Sequence, residues 1–137
     1  MSIICAQETG LTAEEYTACV GQSALGPTRP LSNAERVQAY LDNSNIVVTA
    51  RDSNGTLVGL FRGMTDWGWV CYCADLAVIE SYQGKGIGAL LMNKATEILG
   101  PGVTIALLSL PGAEGFYQKI GLTQTGAAFY RDRTHRT

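Results

Sequence analysis

The chain has one histidine, His135, in the polar end that runs from Arg131 to Thr137. Chain ends usually fray. The folded body therefore carries no imidazole, and chemistry that needs a proton acceptor near neutral pH must find another group. Charge of one sign is also missing: ten Lys and Arg face twelve Asp and Glu, a formal net charge of −2. That balance offers no basic field of the kind that holds nucleic acid. No run of like charge suggests a tail or a membrane anchor, and no window approaches the roughly 20 apolar residues of a membrane helix. Met1 to Gly10 has an apolar patch but neither a basic flank nor a long apolar core, so it does not read as a signal peptide. A cytoplasmic protein is the expectation. The cysteines Cys5, Cys19, Cys71 and Cys73 include no C-x-x-C pair, so no zinc or other metal site is expected. Cys71 and Cys73 lie two apart on a strand pattern, where a bridge would distort the backbone. They read as free thiols.

The length of 137 residues suits one domain over 1–137, long enough to bury about two thirds of its unfolded surface. Ile3 to Ala6 reads as a first strand. Thr12 followed by Glu15 is a capping-box pattern that opens a helix to about Gly21. Gly26-Pro27-Thr28-Arg29-Pro30 is a stiff loop. Ser32 and Glu35 form a second capping box, opening a helix to about Leu41. Ile46 to Ala50 and Thr56 to Met64 flank the turn Asp52-Ser53-Asn54-Gly55 and predict a hairpin. Trp69 to Ile79 is nearly all apolar, as expected of a strand covered on both faces. Ile87, Leu90, Leu91, Ala95 and Ile98 recur at helical spacing, and Gly100-Pro101 stops that helix. Val103 to Leu110 reads as a buried strand, Pro111 as the start of a short helix closed by Gly121, and Leu122 to Tyr130 as last strand material. The order β-α-α-β-β-β-α-β-α-β predicts a mixed sheet with helices on both faces.

Between strand and helix stands Gln83-Gly84-Lys85-Gly86-Ile87-Gly88. Glycines allow a tight turn and close approach of backbone to a ligand, and a helix start presents unpaired N–H groups and a dipole that favours anions. Lys85 adds a positive charge at the rim. The spacing is neither G-x-G-x-x-G nor G-x-x-x-x-G-K-[ST], so neither a dinucleotide fingerprint nor a nucleoside-triphosphate loop is present. Taken alone, the turn could also serve only to let helix and strand pack.

Leu76-Ala77-Val78, then Gln83-x-x-Gly86-x-Gly88, then Leu91 resembles the acetyl-CoA motif of the GNAT superfamily of N-acyltransferases. Downstream, Ala113, Phe116-Tyr117, Lys119 and Gly121-Leu122 resemble its second motif, A-x-x-F-Y-x-K-x-G-F, with Leu122 where phenylalanine is more usual. The resemblance is close from about Ala74 to Thr123; before that only the element order matches. It implies an α+β fold, a three-layer α/β/α arrangement around a mixed, splayed sheet, with acetyl-CoA as co-substrate and an amine of a small molecule or peptide as acceptor. The backbone of Leu76, Ala77 and Val78 would pair with the pantetheine arm as with an added strand. The N–H groups of Gln83, Gly84, Lys85, Gly86, Ile87, Gly88 and Ala89 would hold the pyrophosphate.

In this resemblance Tyr117 would be the general acid for the departing thiolate. The general base is open; Asp75 is the first candidate, ahead of Tyr72 and Glu114, and a hydrogen-bonded carboxylate at a strand bulge is the plainer alternative. Cys73, a cysteine in a buried strand, reads as inert rather than as an acyl carrier. Arg29 could pair with an anionic group of the acceptor. Trp67 and Trp69, with Tyr72, could line an aromatic acceptor pocket or a homodimer contact, or simply pack. A non-catalytic acyl-CoA-binding sensor is the alternative function, and a nucleotide-binding regulator a third.

Overall fold

The computed structural model describes residues 2–135. Five strands form one sheet in the order β1-β2-β3-β4-β5: β1 Ile4–Gln7, β2 Ile46–Arg51, β3 Leu57–Thr65, β4 Val70–Val78 and β5 Thr104–Ala106. The first four strands pair antiparallel and β5 joins β4 in parallel. The helices are α1 Ala13–Val20, α2 Ala34–Asp42, α3 Ile87–Leu99 and α4 Glu114–Lys119. This is the mixed α+β sheet that the pattern and the resemblance imply.

Local chemistry sets the boundaries. The β2–β3 hairpin turns where Asp52 Oδ1 accepts from the N–H groups of Asn54 and Thr56, with Gly55 at φ +81°. Thr12 caps α1 by accepting from the Glu15 N–H. The cap of α2 is Asn33, one residue beyond the expected Ser32: the Asn33 Oδ1 accepts from the Arg36 N–H, and Asn caps as well as Ser. Gly100, at φ +83°, ends α3.

α1 and α2 pack on one face of the sheet and α3 on the other. Arg62 and Asp75 are register partners on β3 and β4, and the Tyr16 hydroxyl of α1 reaches Asp75. The opposite face carries Gly59, where an added Cβ would lie 3.2 Å from Leu91 of α3. Tyr16, Val37, Leu60, Phe61, Ile87 and Leu91 are among the fully buried side chains.

Several sequence expectations fail in instructive places. β5 has three residues rather than the span Val103 to Leu110, and its ends Thr104 and Ala106 are exposed. Its partner β4 diverges after Tyr72, so the ladder that would sustain a longer strand is lost. Leu122 to Tyr130 forms no strand; residues 123–135 are exposed throughout, and without a neighbouring ladder a β-rich run has nothing to pair with. Along β4, Val70 and Tyr72 are exposed while Cys71 and Cys73 are buried, so this end of the strand is covered on one face only. Leu90 is also exposed on α3 despite its helical spacing. The short helix starts at Glu114 rather than at Pro111, and Gly121 closes it at φ +101°.

Candidate functional site

The site begins where β4 leaves its neighbour. β4 and β5 share three rungs, Val70↔Thr104, Cys71↔Ile105 and Tyr72↔Ala106. On the other side, β3 stays paired to the end of β4, with a bulge: Arg62 faces Asp75 and Gly63 faces Cys73, leaving Ala74 as the extra residue. A bulge bends its strand and raises the local twist. Here it lies at the parting of β4 from β5. The Ile79 N–H donates to Val58 O on β3. Alternation along the strand then sends the amides of Leu76 and Val78 the other way, to the open edge. The Gln83 side chain donates from Nε2 to Val78 O at 3.0 Å, so the far end of that edge is lightly capped.

The edge runs into the glycine turn. Gly84 and Gly86 adopt φ +77° and +80°, and an added Cβ on either would meet nothing within 4 Å. Their need for glycine is conformational. Gly88 is different: an added Cβ would lie 2.8 Å from the Phe116 ring, so its glycine lets α4 close on the start of α3. No side chain caps α3 and no acidic residue stands in its first turn. Among the described residues, none of the N–H groups of 84–89 has a protein acceptor. Six adjacent unpaired donors at a left-handed turn and a helix start form an anion nest. Lys85 stands at its rim, its ammonium 5.3 Å from the centre of the Tyr82 ring.

Behind the bulge lies a buried ion cluster. Asp75 is 1% exposed. Its Oδ1 accepts from Arg29 Nε at 2.7 Å; its Oδ2 accepts from Arg62 Nε and from the Tyr16 hydroxyl, both at 2.6 Å. Burial alone would raise its carboxyl, but the Arg62 and Arg29 guanidiniums outweigh burial and hold it below the usual carboxylate range. Asp75 does not border the cleft, and both of its oxygens are engaged, a poor arrangement for the general base that the sequence suggested. Arg29 crosses from the α1–α2 loop to reach it, and its Nη2 also donates to the bulge carbonyl of Ala74 at 2.7 Å. Arg62 further stacks on the Tyr40 ring, 4.4 Å from its centre.

Together these parts border a cleft of about 560 Å³. One wall is the β4 edge from Leu76 to Val78. The turn residues Gln83, Gly84 and Gly86 and the first helical residues Ile87, Gly88 and Ala89 close its upper end. The segment after β5, at Leu107, Leu108 and Leu110, forms the facing wall with α4, and Arg29 borders the lower end beside Cys73 and Ala74. Tyr117 of α4 points into the same space, its ring edge-on to Phe116 at 5.2 Å. Burial pushes its phenol up to about 12, with the nearby Cys73 thiol adding to the rise and Arg29 opposing it. Tyr117 is thus protonated at neutral pH. Burial also raises the Cys73 thiol well above its ordinary value, and its Sγ donates to the Asp75 main-chain oxygen at 3.5 Å. All four cysteines are free thiols.

The cleft brings together most residues that the sequence singled out. Lys85, Asp75, Trp67 and Tyr72 do not border it, nor does Glu114, whose Oε1 accepts from the Gly112 N–H. Trp67 sits at φ +63° in the β3–β4 turn, which is therefore not extended, and Trp69 is 77% exposed. The sequence reading missed Tyr16 and Arg62, the partners of Asp75. An arginine inside the apolar run Leu57–Thr65 was the available signal. Among the described residues, no group of three or more His, Cys, Asp or Glu is placed to hold a metal.

Comparison with known proteins bears on the same region. A sequence model of the acetyltransferase (GNAT) family matches residues 12–122. The uncharacterized N-acetyltransferase ycf52 of Pyropia yezoensis is 31% identical over 98 residues, covering 68% of this chain and 55% of that protein. The chain thus spans about half the length of the curated relatives it matches first. The crystal structure of SA2161 from meticillin-resistant Staphylococcus aureus, a protein of unknown function and probable acetyltransferase, superposes with a TM-score of 0.78 at 25% identity, covering 96% of this chain and all of that one. YhbS of Escherichia coli, a GNAT family N-acetyltransferase crystallised in complex with CoA, superposes with a TM-score of 0.67 at 20% identity, covering 87% of this chain and 67% of that one.

Proposed function

The chain belongs to the acetyltransferase (GNAT) family, and on that premise we propose that it is an N-acyltransferase that takes an acetyl group from acetyl-CoA and passes it to an amine by direct attack in a ternary complex. The observation that carries this reading is the continuity of an unpaired strand edge at Leu76–Val78 with the six free N–H groups of residues 84–89. An extended diamide fits the first and a pyrophosphate fits the second. The co-substrate supplies an activated thioester.

The residues of this chain do the rest. Leu76 and Val78 fix the pantetheine arm by main-chain hydrogen bonds. The nest of 84–89 holds the diphosphate, with Lys85 contributing charge from the rim. Tyr117 is protonated and faces the cleft, so it can hand its proton to the departing thiolate. Asp75 acts at one remove: it fixes Arg29 and Arg62 and so shapes the bulge that parts the strands. Cys73 stays a neutral, buried thiol and carries no acyl group.

The test is titration calorimetry with acetyl-CoA, followed by thiol release in the presence of amines. Binding is expected at micromolar ligand. Tyr117→Phe is expected to lower kcat roughly 100-fold, while the Kd for acetyl-CoA stays within about twofold. Binding without transfer to any amine, together with a silent Tyr117→Phe, would instead favour a sensor of acyl-CoA. No binding at millimolar ligand would end the reading altogether.

A further inference from the structure

Among the described residues, five ionisable side chains border the cleft: Arg29, Lys119, Tyr82, Tyr117 and Cys73. Among the described residues that border it, none is Asp, Glu or His. Arginine and lysine side chains offer donors and no acceptor, and burial holds the Tyr117 phenol and the Cys73 thiol protonated. No side chain there can take a proton from an ammonium ion. The charge of the inner end points the same way. Arg29 and Arg62 share one carboxylate, Asp75, so the cluster holds one positive charge in excess, and Arg29 faces the cleft with it.

Arg29 also has unused donors. A guanidinium carries five N–H bonds. Three are engaged, by Asp75, Thr28 and Ala74. Two therefore lack a protein acceptor among the described residues, beside Cys73 and Ala74 where the strands part.

Resting on the acyltransferase reading above, we infer that the acceptor is an α-amine with a carbonyl on the neighbouring carbon, such as a peptide N-terminus or an amino-acid derivative, rather than the ε-amine of lysine. The reacting nitrogen must enter the cleft neutral. An α-amine titrates near 8 and is substantially neutral at physiological pH; a lysine amine titrates near 10.4 and is almost wholly charged. The excess positive charge disfavours a bound ammonium and favours its loss of a proton to water. The carbonyl oxygen three bonds from the α-nitrogen is an acceptor of the kind the two spare Arg29 donors lack. In the reaction the neutral nitrogen forms the new amide bond as the thioester bond breaks. Tyr117 protonates the thiolate, and the nitrogen's surplus proton leaves to water.

The experiment measures thiol release from acetyl-CoA with alanine amide, Ala-Ala-Ala, free alanine and Nα-acetyl-lysine amide, alongside calorimetric binding of acetyl-CoA. At about pH 7.5 the neutral fractions of the two amine types differ by about 200-fold, and kcat/KM for alanine amide should exceed that for the lysine derivative by about as much. At about pH 9.5 the advantage should shrink to about tenfold. Arg29→Lys, which keeps the charge and loses the fork, should raise KM for alanine amide about tenfold, a larger factor than any rise in the Kd for acetyl-CoA; if that variant fails to fold, the comparison of amines and pH in the unchanged protein decides. Rates with the tripeptide comparable to those with alanine amide would support the inference and mark a peptide terminus; higher rates with free alanine, whose carboxylate holds its ammonium charged, would overturn it. Turnover of the lysine derivative at pH 7.5 equal to or above that of alanine amide, or an advantage that does not change with pH, would overturn the inference alone. Failure of both amine types with acetyl-CoA bound would overturn this inference alone; failure across a broad amine set would overturn the acyltransferase reading with it.

Discussion

The two halves of the sheet treat their backbone differently. From β1 through β3 every strand has a full antiparallel ladder on its inner side, and the rim is closed by Arg51, which donates to Glu8 at 2.8 Å and to Glu15 at 2.6 Å. From β4 onward the pairing stops after three rungs with β5, and the amides of Leu76 and Val78 and those of the glycine turn and helix start at 84–89 are left open beside the cleft. A helix start and a left-handed turn leave their N–H groups without protein partners, and gathered beside a cleft they suit an anion from outside. The closed half supplies rigidity and the open half supplies donors. The Asp75 cluster is the seam between them.

Cutting the seam should have the largest effect. Asp75→Ala leaves the buried Arg62 guanidinium and the half-buried Arg29 guanidinium without their shared carboxylate and should cost about 3–5 kcal/mol, read as a large loss in urea midpoint. Asp75→Asn, which keeps the shape, should recover part of it. Next comes a test confined to the open half. Gly86→Ala forces a side chain into a left-handed conformation at roughly 1–2 kcal/mol and should weaken acetyl-CoA binding about tenfold or more, because the nest geometry must shift.

A matching change in the closed half should do the reverse. Glu8→Gln removes one carboxylate from Arg51 and should cost about 1 kcal/mol, with acetyl-CoA affinity unchanged. If it altered affinity as much as Gly86→Ala does, the division into halves would be wrong. Acid sharpens the point. Hydrogen bonding from Arg51 lowers the Glu8 and Glu15 carboxyls, and the paired arginines lower Asp75 against its burial. A carboxyl depressed in the folded state contributes stability that is complete above its unfolded value, near 4, and is lost as pH falls through the folded value. Urea midpoints should therefore fall below about pH 4, less steeply in Glu8→Gln. Trp69→Ala, at an exposed position, should change stability by under about 0.5 kcal/mol.

Much of this was legible in the residues. The hairpin turn at Asp52 to Gly55, the α1 cap at Thr12 and the stop at Gly100 were readable because each depends on side chains a few residues apart. The glycine turn was readable for the same reason. The tail and β5 were not, because a strand exists only if a distant segment pairs with it, and local β-propensity says nothing about the partner. The packing of Gly88 against Phe116 was not legible, because that neighbour is 28 positions away in sequence. Asp75 stood out as a carboxylate near the expected bulge, but whether it titrates freely depends on Arg29, Arg62 and Tyr16, which three separate elements bring to it.

The central claim is that free backbone amides, rather than a charged side-chain pocket, grip the co-substrate. The direct measurement is a two-dimensional amide NMR titration with acetyl-CoA. The account expects the largest shifts at the N–H groups of residues 84–89 and at Leu76 and Val78, with the amides of β1 and β2 nearly still. Saturable shifts centred on the β3–β4 turn or on Arg51, with residues 84–89 unmoved, would contradict it.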